Sequence, residues 1–451
     1  MKKQIIYISA FVILSTFYSC KKYLEAVPDS KLAIPTTLED FQAILDYTET
    51  FNAEYPNLLE LASDDYYIKN DVFNRTSNIE NDTYLWKKNE THLTPWFKQY
   101  DKVNRANIVL DEMVKIKTSA NSENYKSIKG QAYFYRAYSF YLLSQLYGYP
   151  YDHRTSISDL GIPLRLTSDI NVPSKRSTVQ ECFNRIITDL QAAIDLLPVQ
   201  QNFKTRPSKG AALGVLAKVY LSMGDYTKAT EYADKLLRLH SKLIDYNSLD
   251  STAVAPFSIF NDEVLFHSTG AFASFLQAWV VNIDSSLLNS YHSEDLRKAM
   301  FFSKKNDETY SFKGGYDGYY FGLTRIFLGI AVDEIYLIRA EGNARMGNLE
   351  MALNDLNLLI SKRWKVNKFK PFISSSQDEI INWILLERRK ELVFRGLRWQ
   401  DLRRLMKDPG REIVPKRVIN NKIYELLPNS LRYTFAIPAA VITKTGMEQN
   451  P

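Results

Sequence analysis

Ser208-Lys-Gly-Ala-Ala-Leu-Gly-Val-Leu-Ala-Lys-Val-Tyr-Leu-Ser-Met-Gly-Asp-Tyr-Thr-Lys-Ala-Thr-Glu-Tyr-Ala-Asp-Lys-Leu-Leu-Arg-Leu-His240 reads as two helices and the turn between them. Ser208 stands where a hydroxyl can accept from the free backbone N–H groups of a first turn, so it caps a helix over residues 209–223. Gly224-Asp225 is the turn, and residues 226–240 return. Ala217 and Ala229 are small where the two helices must approach, and Tyr220 fills the groove between them.

Residues 331–364 repeat the pattern. Aligning Gly347 with Gly224 places Ala340 on Ala217 and Ala352 on Ala229, so residues 331–346 and 349–364 form a second hairpin around Gly347-Asn348. The spacing is that of a tetratricopeptide repeat. Such stacks need about three or more repeats to close a core, so other helices must cover their ends. Helical periodicity supplies them at residues 94–117, 126–147 (ended by Gly148 and Pro150) and 178–197 (stopped by Pro198). The expected fold class is mostly α: tetratricopeptide-like repeats with long irregular loops and a few short strands.

Two stretches break the helical pattern. Residues 62–93 are polar and aromatic, from Ala62-Ser-Asp-Asp-Tyr-Tyr67 to Tyr84-Leu-Trp86. Residues 241–325 hold short apolar runs such as Glu263-Val-Leu-Phe-His267 and the turn-rich Gly314-Gly-Tyr-Asp-Gly-Tyr-Tyr-Phe-Gly322. Loops this long inside a compact domain carry function more often than not.

The chain begins with Lys2 and Lys3, an apolar run from Ile5 to Tyr18, then Ser19 and Cys20. The run is shorter than the ~20 residues of a membrane span and reads as a secretory signal over residues 1–19. Cys20 at the cut is the acylation site of a bacterial lipoprotein, although Phe17 stands where such signals usually carry an aliphatic residue. Two lysines leave with the signal, so the net charge falls from +6 to +4. Basic clusters have acids beside them, which argues against a nucleic-acid partner. Cys182 is then the one remaining cysteine and reads as a small core residue. The 29 Tyr, 24 Phe and 6 Trp suit a helical core with wet edges, and equally a surface that grips sugars.

The chemistry of the common enzymes is absent. Neither His-Glu-x-x-His nor any two histidines at helical ligand spacing occurs, so no metal is expected. There is no Gly-x-Ser-x-Gly elbow and no phosphate loop, and no cofactor is expected. The segment Glu387-Arg-Arg-Lys-Glu-Leu-Val-Phe-Arg-Gly-Leu-Arg-Trp-Gln-Asp-Leu-Arg-Arg404 looks catalytic because Glu387 and Glu391 lie one turn apart. Its arginines would keep both carboxylates ionised. It therefore reads as a structural ion-pair network around a kink at Gly396, with Arg398 and Asp401 pairing at i, i+3.

Four places carry a resemblance to the SusD/RagB family of Bacteroidetes nutrient-binding lipoproteins. They are Cys20-Lys-Lys-Tyr-Leu-Glu-Ala-Val-Pro28, the helix Gly130–Gly148 with Pro150, the Glu387–Arg404 segment, and the tail Ile437-Pro438 with Gln449-Asn-Pro451. Arg395 departs from the family's usual Glu, and the Gly-Tyr that usually follows the tail is missing. The resemblance implies one SusD-like domain over 20–451, with parts 20–200 and 201–451 packed as a unit. It implies a palmitate-bearing lipoprotein on the outer-membrane surface that holds an oligosaccharide or other nutrient and passes it to a SusC-like TonB-dependent transporter. The repeats would face the transporter or support the fold.

Sugar rings stack on Tyr or Trp and hydrogen-bond to Asp, Asn and Arg at their rims. The ligand candidates are Asp64, Asp65, Tyr66, Tyr67 and Trp86 in the first irregular stretch. In the second they are Trp279, Tyr291, Tyr316, Asp317, Tyr319, Tyr320 and Arg325. Each competes with a plain packing role. Trp96 is set aside because it falls in a helical pattern. Two other readings stay open. One is a surface glycoside hydrolase using Asp64 and Asp65, although adjacent carboxylates rarely flank one bond. The other is a repeat scaffold that binds only a protein.

Overall fold

A computed structural model describes residues 35–116, 122–318 and 325–451. The signal segment, Cys20, Tyr319 and Tyr320 lie outside the described residues. The fold is mostly helical, and among the described residues every strand belongs to a two-stranded sheet. Among the described residues eight helices have twelve residues or more: α1 (Leu93–Met113), α2 (Glu123–Tyr147), α3 (Val179–Leu196), α4 (Lys209–Met223), α5 (Tyr226–Leu237), α6 (Val332–Arg345), α7 (Leu349–Ser361) and α8 (Gln377–Glu391).

The first seven stack in chain order, each against the next, and α8 packs on α6. The two hairpins read from sequence are α4–α5 and α6–α7. Ser208 caps α4 by accepting from the Ala211 N–H. Thr178 and Glu181 form a reciprocal capping box that starts α3. Gly224 (φ 75°) and Gly347 (φ 82°) make the same left-handed turn, where a side chain would be strained. Ala217, Ala229, Ala340 and Ala352 are fully buried, so the helices approach closely. Tyr220 stacks on Tyr232 with centroids 5.5 Å apart.

The Glu387–Arg404 segment holds this stack to the irregular half. Helix α8 ends at Glu391, the chain turns through Gly396, and a short helix runs Arg398–Leu405. Gly396 has φ 64°, and a Cβ there would meet Leu328 Cδ2 at 2.4 Å. Around the turn lies a network of buried ion pairs. Arg297 bridges Asp295 (2.6 Å), Glu387 (2.6 Å) and Glu391 (3.1 Å). Arg363 joins Glu391 (2.7 Å) to Glu263 (2.8 Å). Arg404 joins Asp401 (2.8 Å) to Glu341 on α6 (2.7 Å). Arg395, the family departure, pairs with Asp333 at 2.8 Å.

One expected pair does not form. Arg398 turns to Asp64 at 2.6 Å, while Asp401 takes Arg388 and Arg404. The turn at Gly396 starts the second helix at Arg398, so this guanidinium faces the irregular stretch instead of its own helix.

Removing one partner from such a cluster strands buried charge, which costs about 3–5 kcal/mol. Arg297→Met would leave Lys390 alone against Asp295 and Glu387, and Arg363 alone against Glu391. Its urea-unfolding free energy should fall by about that amount; an unchanged midpoint and slope would contradict the structural role.

Candidate functional site

The two irregular stretches meet. Residues Tyr66–Tyr67 pair antiparallel with Asn282–Ile283, in the register Tyr66–Ile283 and Tyr67–Asn282. Strand alternation then sends Tyr66 inward, 1% exposed, and Tyr67 outward, 37% exposed. Trp279 precedes the strand at 60% exposed, and Phe272 lies on the same loop at 53%.

Side chains fix this loop. The Glu80 carboxylate accepts the N–H groups of Ser274 (2.8 Å) and Phe275 (2.9 Å). Asn57 donates to the Phe272 carbonyl at 2.9 Å. Lys305 donates to the Val281 carbonyl at 2.8 Å, and Thr309 donates to the Asn282 side-chain oxygen at 2.9 Å. An exposed ion pair, Lys69–Asp307, links the chain just after the Tyr66–Tyr67 strand to the turn of the hairpin formed by Phe302–Lys304 and Tyr310–Phe312. Tyr67, Phe272 and Trp279 thus each expose ring surface from backbone that side-chain hydrogen bonds hold in place, and exposed aromatic rings are the groups on which sugar faces can stack.

The other candidates are placed differently. Tyr66 packs between Tyr84 and Phe394 and donates to the Leu61 carbonyl at 2.8 Å. Trp86, 1% exposed, donates to the Ala62 carbonyl at 2.9 Å. Tyr291 donates to the Lys390 carbonyl at 2.7 Å. Tyr316 donates to Glu263 at 2.6 Å beneath the Arg395 guanidinium. These four rings are interior, because each hydroxyl or indole N–H finds a buried acceptor and leaves the ring free to pack. Asp317 is buried as well, and Arg325 is exposed. Phe272, Lys69 and Asp307 were missed. The signal available for Phe272 was an aromatic in a loop without helical period.

Asp64 and Asp65 belong to the ion-pair network. Asp64 meets Arg398 at 2.6 Å and Arg389 at 3.7 Å, and Asp65 meets Arg389 at 2.7 Å. Burial opposes ionisation of Asp64, but Arg398 and Arg389 override it and hold the carboxyl well below the usual range. Burial, with Asp64 beside it, pushes Asp65 up against the pull of the two arginines. Glu60 lies below them, accepting from Ser63 (2.8 Å) and from the Gly396 N–H (2.9 Å). Burial first, then the Asp65 charge, pushes Glu60 up to about 8. Among the described residues no group of three or more His, Cys, Asp or Glu is placed to hold a metal ion.

Residues 22–221 match a family model described as starch-binding and associating with the outer membrane, and residues 332–451 match that of the SusD family. The chain belongs to the SusD/RagB family. A SusD-like protein P2 from Formosa agariphila is 26% identical over 368 residues, covering 69% of this chain and 71% of that protein. The structure of a putative sugar binding protein from Bacteroides vulgatus superposes with TM-score 0.77 at 22% identity, covering 93% of this chain and 99% of that one. A SusD superfamily protein from Bacteroides thetaiotaomicron gives 0.74 at 21%, covering 92% and 100%. At these identities the likeness establishes the SusD fold. No helix among the described residues is long and apolar enough to cross a membrane.

Glu60 gives a pH signature. Its folded pKa is raised, so its contribution to stability is whole below the ordinary value of 4.5 and is lost as pH climbs through about 8. Glu60→Gln can still accept from Gly396 and donate to Ser63. The variant should match the parent near pH 4 and exceed it by a few kcal/mol near pH 9 in chemical denaturation. A constant offset at all pH values would contradict the assignment.

Proposed function

We propose that this SusD-family protein is a cell-surface lipoprotein, anchored through Cys20, that binds an oligosaccharide or another nutrient and hands it to a SusC-like TonB-dependent transporter in the outer membrane. The observation that carries the binding part is the ledge of Tyr67, Phe272 and Trp279. Three large rings face solvent on irregular backbone tied down by Glu80, Asn57 and Lys305. Isolated exposed rings need no explanation, but a group of them on one pinned loop and its paired strand marks an interaction site. The starch-binding description of the family model, and the neighbour described as a putative sugar binding protein, favour a glycan over a protein as occupant. Transfer requires release, so moderate affinity is expected.

The hydrolase reading loses its pair of carboxylates. Asp64 and Asp65 are committed to Arg398 and Arg389, and Asp64 is held ionised, which unsuits it to act as a general acid. We therefore favour a binding protein over an enzyme.

Titration calorimetry against a glycan panel should find a ligand whose affinity drops about tenfold, near 1.4 kcal/mol, in Trp279→Ala, with an unchanged unfolding midpoint. Binding unaffected by loss of Trp279 and of Tyr67 would overturn the ledge. Metabolic labelling with radioactive palmitate should mark the parent and leave Cys20→Ser unlabelled.

A further inference from the structure

A second cleft lies on a different part of the fold. It opens between α1, the strand pair Leu160–Pro163 and Arg176–Thr178, and the C-terminal helix Ala439–Thr445, and holds about 240 Å³. A smaller cleft of about 170 Å³ adjoins it and shares Pro163, Arg165, Thr167 and Ser174. Each is below the ~300–1,000 Å³ of pockets that enclose drug-sized ligands. Such a space suits one ring, not a chain.

The cleft is built rather than accidental. Trp96 and Tyr100, one helical turn apart on α1, form its aromatic wall with centroids 4.8 Å apart. Tyr100 is locked by donating to the Pro163 carbonyl at 2.8 Å. The opposite wall is the chain after Pro163, pinned to α1 where Asn107 donates to the carbonyls of Arg165 (2.9 Å) and Thr167 (3.2 Å). Asn107 is in turn fixed by Arg136 at 2.9 Å. Trp96 is 7% exposed, and its indole N–H, which meets no protein acceptor among the described residues, is open to solvent. An indole N–H that water reaches is open to a ligand hydroxyl as well.

Charge narrows the ligand. No Asp or Glu lines either cleft, while Arg165 lines both and Lys175 the smaller. The Arg165 guanidinium donates to the carbonyls of Val172 and Asp169 and to the Ser174 hydroxyl. No carboxylate among the described residues lies within ion-pair distance of it. Carbonyl and hydroxyl dipoles orient a guanidinium but leave its net charge uncompensated, so an incoming carboxylate gains a charge-assisted hydrogen bond. The exposed carboxamide of Asn104 lies on the rim with a donor and an acceptor to offer ring hydroxyls.

We propose that this cleft is a second saccharide subsite, separate from the Tyr67–Trp279 ledge, that takes one acidic pyranose ring, a uronate. The ring's apolar C–H face lies against Tyr100 and the edge of Trp96 that the cleft exposes, its carboxylate faces Arg165, and its hydroxyls meet Asn104 and Ser174. The inference rests on the oligosaccharide reading above and adds to it the class of sugar and the place where that sugar is held.

The test uses the protein labelled with 5-fluorotryptophan, whose Trp96 and Trp279 resonances report on the two sites separately in fluorine NMR. Methyl glucuronoside and methyl galacturonoside should move the Trp96 signal at concentrations at least tenfold below those needed of the matching neutral glucoside and galactoside. Asn104→Phe, which plugs the rim at an exposed position, should abolish that shift while leaving the unfolding midpoint unchanged. Equal response to neutral sugars would overturn the charge assignment. Movement of Trp279 alone, or of neither signal, with any uronate would overturn the subsite. The glycan reading fails separately, if no oligosaccharide moves the Trp279 signal either.

Discussion

Arginine 297 and its neighbours hold two unlike halves of this chain together. One half is a stack of helices that buries alanine and leucine, and its stability is local. The other is a set of long loops with two-stranded sheets, which bury too little regular structure to stand alone. Arg297, Arg363, Arg389 and Arg398 cross between them, each meeting a carboxylate from a distant part of the sequence. Replacing a whole buried ion pair by apolar side chains of similar shape is often neutral or stabilising, whereas losing one partner is costly. The value of this network therefore lies in register: charge pairing permits one docking of the loops and penalises the others.

That register decides what reaches the surface. Asp64 and Asp65 are drawn down onto Arg398 and Arg389, and the two residues that follow form the strand paired with Asn282–Ile283. With Asp65 fixed inside, alternation turns Tyr66 in and Tyr67 out. The carbonyl of Asp65 also accepts the Asp284 N–H at 2.9 Å, which continues the pairing beyond the strand. Loops bind well when their shape is set before the ligand arrives, because less ordering cost falls on the binding step. Here hydrogen bonds from Glu80, Asn57 and Lys305 to the loop, and ion pairs beneath Tyr66, help to supply that order.

Much of the helical half was legible in the sequence. Ser208, Gly224, the matched alanines and Pro198 are local signals, and the helices begin and end within a few residues of where these place them. The Glu387–Arg404 segment was legible as an ion-pair network because opposite charges lie one turn apart and the glycine interrupts the helix. Its long-range partners were not. Asp64 lies more than three hundred residues from Arg398, and nothing local says that Arg398 prefers it to Asp401. The ligand candidates suffered most from this. A tyrosine in a polar, turn-rich stretch looks available, yet Tyr66, Tyr291 and Tyr316 each find a buried acceptor and pack inside. Only the register of a two-residue strand separates Tyr66 from Tyr67. Trp96 is buried on its helix as the spacing says, and one edge of its ring also borders a cleft, which helical spacing alone does not show.

Hydrogen–deuterium exchange of the protein with and without a bound polysaccharide reads directly whether the loops or the helical hairpins hold the ligand. A ligand held by the loops slows exchange over residues 66–69 and 272–284, with little change in α4–α7. Protection confined to residues 209–237 and 332–361, with the loops unaltered, would contradict it.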